Sequence, residues 1–255
     1  MSHANPRHTA LLTLALLLMG MGTAHAQEPN VQLAHAKLQA VCGSTFCNRF
    51  VGTVEVKNLA YEKQVAIAYS TGDGQWTEVA AGYVAPASSG YETWLFTKDL
   101  PMGASVQFAI RYTVAGQTYW DNNGGNDYRL GGTAPTFVLG RSALKLDTAS
   151  YQSSRGGFFV TGYVVLKNLG AVKDVKAVYT QNDWVTVQEK AATYLEPQPN
   201  SGGAEERWLF SIPVSAPTTT LPTVRFALAY TVDGVTYWDN NFTWNYSLNY
   251  PDSIQ

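Results

Sequence analysis

The sequence predicts an all-β protein built as two consecutive antiparallel β-sandwiches. Three observations predict it: the chain repeats itself in order, its clearest strand alternates with a period of two, and a turn follows that strand in both copies. VKNL at residues 56–59 is answered by LKNL at 166–169. VAIAYSTGDGQW, ending at Trp76, is answered by VKAVYTQNDW, ending at Trp184. WLF at 94–96 returns at 208–210, and VQFAIRYTVAGQTYWDNN at 106–123 returns as VRFALAYTVDGVTYWDNN at 224–241. Matches that keep their order and differ only in loop length mark a tandem duplication.

Each copy is about a hundred residues, the usual size of a β-sandwich. Over residues 106–114, Val106, Phe108, Ile110, Tyr112 and Val114 fall on one face, and Gln107, Ala109, Arg111 and Thr113 on the other. That is the signature of a half-buried strand. Ala115-Gly116, or Asp233-Gly234 in the second copy, then turns the chain into the next aromatic run. Asp-Gly between alternating strands signals a hairpin, because a type I′ turn needs positive φ at both central residues. No sustained helical period is present. The chain therefore divides into residues 27–132 and 136–255, joined through LGGTAP at 130–135, a connection too short to let the units wander.

Ahead of both copies, Arg7, an apolar stretch over 11–21 and Ala24-His25-Ala26 before Gln27 form the pattern of a secretory signal peptide covering residues 1–26. The apolar stretch is shorter than the roughly 20 residues a membrane span needs, and no later segment is long and apolar enough. The expectation is a secreted protein, extracellular or periplasmic, with no membrane partner. Losing Arg7 with a leader that holds no acid takes the net charge from −2 to −3. Nucleic acid is excluded as a partner, because its binders need a basic face. Of the 4 histidines, only His35 stays in the mature chain, too few for a histidine metal cluster or a catalytic triad in each copy. Cys42 and Cys47, close together in an exported chain, predict a disulfide; a redox pair would more often be spaced C-x-x-C.

The repeated TYWDNN carries the functional signal. Alternation sends Tyr119 to one face and Trp120 to the other, so one ring packs inward while its neighbour faces out. An indole beside amide side chains suits a sugar: the ring covers the C–H face of a pyranose and the Asn groups meet its hydroxyls. Against this stands the commoner fate of a strand Trp, which is core, and of Asn-Asn, which is a turn. Trp76 and Trp184, each ending a polar loop in the same place, favour binding because a loop ring has no core to join.

The series VKNLAYEKQV, AYSTGDGQW, WLF and FAIRYTVAGQTYWDNN resembles carbohydrate-binding module family 21, the starch-binding domains of fungal glucoamylases and of glycogen-targeting phosphatase subunits. The resemblance covers nearly all of each copy after its first strand. It implies tandem immunoglobulin-like antiparallel sandwiches of eight strands each, which bind α-1,4-glucan (starch or glycogen) without hydrolysing it and need no cofactor. It implies a principal site of Trp76 with Trp120 and Asn122, repeated as Trp184 with Trp238 and Asn240. A third aromatic of some members falls at Ala109 and Ala227, a departure that weakens that edge. A second site of some members matches Tyr61, Tyr83 and Tyr91 in the first copy; in the second, Ala171, Tyr194 and Glu205 leave one ring of three. Lys63 and Lys173 are either sugar donors beside this site or solvated lysines. Trp94 and Trp208 read as core, and Asp121 and Asp239 as local turn formers.

Two other readings stand beside a bivalent binding protein. A glycoside hydrolase needs only two carboxylates flanking the bond, but the resemblance takes up both copies and its sites are aromatic. A sandwich that binds protein instead of sugar keeps the fold and changes the site; retention of both tryptophan pairs argues against it. The partner expected beside the glucan is a separate amylolytic enzyme.

Overall fold

The computed structural model describes residues 28–41, 47–215 and 220–255, so the predicted leader and Cys42 lie outside the described residues. Cys47, the expected partner of Cys42, is unpaired among the described residues, and the expected disulfide has no support.

The first copy is β1 (Val31–Val41), β2 (Cys47–Lys57), β3 (Lys63–Ser70), β4 (Thr77–Ala80), β5 (Gly82–Pro86), β6 (Tyr91–Pro101), β7 (Val106–Val114), β8 (Gln117–Asp121), β9 (Tyr128–Leu130) and β10 (Phe137–Leu139). The second follows as β11 (Leu144–Ser154), β12 (Gly157–Lys167), β13 (Lys173–Thr180), β14 (Gln188–Ala191), β15 (Thr193–Pro197), β16 (Glu205–Val214), β17 (Val224–Val232), β18 (Val235–Asp239), β19 (Tyr246–Leu248) and β20 (Ser253–Ile254). In the first sandwich a sheet ordered β10-β1-β2-β6-β5 faces one ordered β4-β3-β7-β8, with β9 also on β7. The second repeats this as β15-β16-β12-β11-β20 over β14-β13-β17-β18, with β19 on β17. The antiparallel all-β class is as expected. The extra strands beyond eight are short edge pieces such as β4 and β14.

β7 spans the predicted residues and buries the predicted face. Ala109, on the other face, is buried as well. Inside the first sandwich Phe50 meets Phe96 and Phe108 edge-on, with centroids 4.8 and 5.0 Å apart, contacts worth about 0.5–1.5 kcal/mol each beyond area burial. Trp94 and Trp208 pack against the two cores, as predicted. Glycine is required at two equivalent places. A Cβ on Gly52 would stand 2.4 Å from the His35 carbonyl oxygen, and one on Gly162 would stand 2.5 Å from the Phe210 ring.

The junction between the copies differs from the sequence expectation. Residues 137–139 lie beyond LGGTAP yet pair with β1, so β10 closes the sheet of the first sandwich, as β20 closes that of the second by pairing with β11. Phe137 and Leu139 pack with Val165 of the second copy. The Leu139 amide donates to Glu205 Oε1 at 2.7 Å, and Lys37 Nζ donates to the Asp147 carbonyl at 2.5 Å. His35 stacks on Phe137 at 5.9 Å and shares a 2.8 Å hydrogen bond with the Thr53 hydroxyl. Burial, with Lys145 and Lys37 close by, pushes the His35 pKa well below its usual value, so the ring is neutral. The two sandwiches are docked, not tethered.

Glu205 gives this junction a pH dependence. Burial pushes its carboxyl from 4.5 up to about 7, against the smaller opposing pull of the Leu139 amide and Lys167. A carboxyl whose folded value is raised binds its proton more tightly when folded. Its contribution to stability is complete below 4.5 and lost as pH rises through about 7, a loss of up to about 3 kcal/mol at 1.36 kcal/mol per unit. Glu205→Gln is expected to stabilise the protein relative to wild type at pH 8 and not at pH 5. Thermal unfolding of both proteins at the two pH values checks this, and a gap that does not change with pH would refute it.

Candidate carbohydrate-binding site

The site is built on the β7–β8 hairpin. Ala115 and Gly116 both take positive φ, 48° and 75°, as a type I′ turn demands. This fixes the register that sends Tyr119 inward onto Tyr112, centroids 5.9 Å apart, and leaves Trp120 52 % exposed. Asn122 Oδ1 accepts the Gly125 amide at 3.0 Å and closes the following turn. Its Nδ2 has no partner among the described residues and remains available as a donor. Asp121 does more than the local turn bonding expected of it. Besides the Asn123 amide at 3.2 Å, its carboxylate accepts the Leu33 amide of β1 at 2.7 Å and the Tyr128 hydroxyl, tying the cassette to the opposite sheet.

Trp76, at the end of the loop between β3 and β4, is about half exposed and lines one cleft with Trp120 and Asn122. The cleft measures about 470 Å³, with Ala68 and Ala109 also on its walls. The structure therefore brings the first predicted principal site together, and the small side chain at Ala109 leaves it roomy. Two acids stand at its margin. Glu78 is gripped by Arg111 at 2.7 and 2.6 Å, which holds its carboxyl below the usual range, and Asp127 accepts Gln107 Nε2 at 2.7 Å.

In the second copy the hairpin repeats, with Asp233 and Gly234 at φ 49° and 76°. Tyr237 packs on Tyr230 at 5.9 Å, and Trp238 is 56 % exposed. Asp239 is buried and accepts the Leu146 amide at 2.8 Å, the Tyr246 hydroxyl at 2.6 Å and Lys145 Nζ at 2.7 Å. Asn240 Oδ1 accepts the Thr243 amide at 3.0 Å, as Asn122 does for its turn. Trp184 departs from Trp76: it is half-buried, sits at φ 69° and donates its amide to the Thr180 hydroxyl at 3.0 Å. Trp238 and Asn240 line a cleft that faces the first sandwich, and Trp184 is not among its walls.

The predicted second site is incomplete in both copies. Tyr61 is 97 % exposed and Tyr83 is half exposed, its ring edge-on to Trp94 at 6.1 Å, but Tyr91 is only 2 % exposed. Tyr91 offers no ring to a ligand, because Arg141 lies over it at 5.4 Å and its hydroxyl donates to the Pro29 carbonyl at 2.5 Å. Tyr194 is half exposed and meets Trp208 as Tyr83 meets Trp94. Lys63 and Lys173 are neither solvated nor free to bind sugar. They are buried ion pairs, 2.9 Å from Glu92 and 3.1 Å from Glu206, and each acid also accepts the indole N–H of Trp94 or Trp208.

Sequence reasoning passed over Trp244, which is largely exposed beside Phe242. The signal was legible in the repeat: WDNNFTWN stands where the first copy has WDNNGGND.

A family model described as carbohydrate/starch-binding module (family 21) matches residues 25–131 and 139–249. Glucoamylase 1 of Rhizopus oryzae is 39 % identical over 99 residues, 37 % of this chain and 15 % of the relative. Protein phosphatase 1 regulatory subunit 3E of Mus musculus is 44 % identical over 85 residues, 31 % of this chain and 30 % of the relative. The chain thus spans under a third of the length of these relatives. Among solved structures, the starch-binding domain of Rhizopus oryzae glucoamylase in complex with β-cyclodextrin and maltoheptaose aligns at 31 % identity and a TM-score of 0.34, covering 42 % of this chain and 97 % of that one.

Proposed function

Because the chain belongs to the family 21 carbohydrate/starch-binding modules, we propose that it is an exported, non-catalytic protein that binds α-1,4-glucan through both modules at once. The observation that carries this is the cleft formed by Trp76, Trp120 and Asn122: two exposed indoles and an unpartnered amide donor around a roomy floor. Glu78 is held as a carboxylate by Arg111, which speaks against it as a general acid. The leader pattern supports export, and a separate amylolytic enzyme is the partner such a protein would serve.

Aromatic contacts contribute about 0.5–1.5 kcal/mol each beyond area burial, so two rings and a few exposed hydrogen bonds give one module a Kd between roughly mM and µM. That is weak for holding a protein on a particle, and the duplication supplies the remainder. Calorimetric titration of the protein with maltoheptaose, against a cellulose oligomer of similar length, tests the reading. Heat from the α-glucan alone is the expected result. No heat from either sugar would move the reading to a protein-interaction sandwich.

A further inference from the structure

We propose that the second module's glucan site is completed by the first module: a glucan segment lies in the cleft between the sandwiches, with Trp238 as its platform. This deepens the α-glucan reading and rests on it. The cleft measures about 360 Å³, within the roughly 300–1,000 Å³ typical of small-ligand sites. Trp238, Asn240 and Thr243 of the second module line one wall, and Glu55, Ser88 and Thr93 of the first module line the other. The charges here are already paired: Glu55 lies 3.4 Å from Arg141, and Lys145 lies 2.7 Å from Asp239. With no uncompensated charge to draw an ion, and hydroxyl and amide groups opposite an exposed indole, the cleft suits a neutral polyol with an apolar face.

An independent observation points the same way. In the first module the loop after the cassette places Gly124 and Gly125 at φ 66° and 93°, where glycine meets no steric cost. In the second, Phe242 and Thr243 occupy the equivalent places at φ 60° and 79°, a conformation that disfavours bulky and β-branched residues. Both side chains reach the cleft, and the Phe242 ring lies 5.0 Å from Lys145 Nζ. The second loop holds a costly backbone conformation whose visible result is a wall facing the first module. Strain of this kind concentrates at ligand sites.

The test uses the full mature protein and NMR of the tryptophan indole N–H signals, titrated with maltoheptaose. Ser88 is exposed in the turn after β5 and reaches the cleft from the first module. Ser88→Arg and Ser88→Glu fill the cleft with opposite charges. Both are expected to raise the Kd read at Trp238 at least tenfold and leave the Kd read at Trp120 unchanged; the Trp120 signal doubles as the check on folding. An unchanged Kd at Trp238 in both variants, or a weakening by only one of them, would overturn the shared site while leaving glucan binding intact. Absence of any indole response in the wild-type protein would instead remove the glucan reading itself.

Discussion

Replacing Trp120 and Trp238 together by alanine is expected to release the protein almost completely from starch granules, where either replacement alone leaves the weaker retention of a single module. Both rings are more than half exposed, so removing them costs the fold little. Each single variant keeps one intact platform, and the particle still presents many chains to it. Two modules on one body gain up to about 10²- to 10⁴-fold over either alone; a single variant forfeits much of that factor and binds through one module, and the double variant loses both sites. Granule sedimentation of the four proteins, read as the bound fraction across protein concentration, measures it. Full loss from either single change would show that the two sites do not act independently.

Asp239→Ala is expected to be the most damaging single change to the fold, at about 3–5 kcal/mol, the usual cost of removing one partner from a buried ion pair. Four groups lose their acceptor at once: the Leu146 and Asn241 amides, the Tyr246 hydroxyl and Lys145 Nζ. The side chains of Lys145 and Asp239 are only 14 % and 6 % exposed, so water replaces little of what is lost. The equivalent change in the first module, Asp121→Ala, also strands the Leu33 amide and the Tyr128 hydroxyl. It leaves no buried cation unpaired, because Gln32 stands where the second module has Lys145, and about 1–3 kcal/mol is expected. Urea unfolding of both variants makes the comparison. Equal losses would mean that the ion pair contributes nothing beyond the hydrogen bonds it shares with its counterpart.

Much of this was legible in the sequence because it depends on local rules. Alternation over 106–114 reported which side chains face inward, and Ala115-Gly116 and Asp233-Gly234 reported the turn that sends Trp120 and Trp238 outward. The rest depends on contacts between distant segments. Tyr91 matches a binding position in an isolated module, yet here Pro29 and Arg141 cover it, and Arg141 belongs to the connection that only a tandem chain has. Lys63 reads as a surface lysine until Glu92 and Trp94 are seen around it. Trp184 sits in the same place in the repeat as Trp76, but its backbone lies in the left-handed region and its ring is half-buried. A repeat in sequence predicts a repeat in fold more securely than a repeat in chemistry.

The placement of β10 changes how the protein can be taken apart. LGGTAP invites a cut, being rich in glycine and lying between two matched units, but a first module ending there would lack Phe137, Val138 and Leu139. β1 would then present an open row of amides and carbonyls at the margin of its sheet, a template for pairing with another chain. A cut placed after residue 140 instead keeps β10 with the first module, and the second module then exposes Val165 and leaves Glu205 without the Leu139 amide. The two halves are separable on paper at residue 132 and in three dimensions only after residue 140, and even there each half gives up a surface that the other had covered.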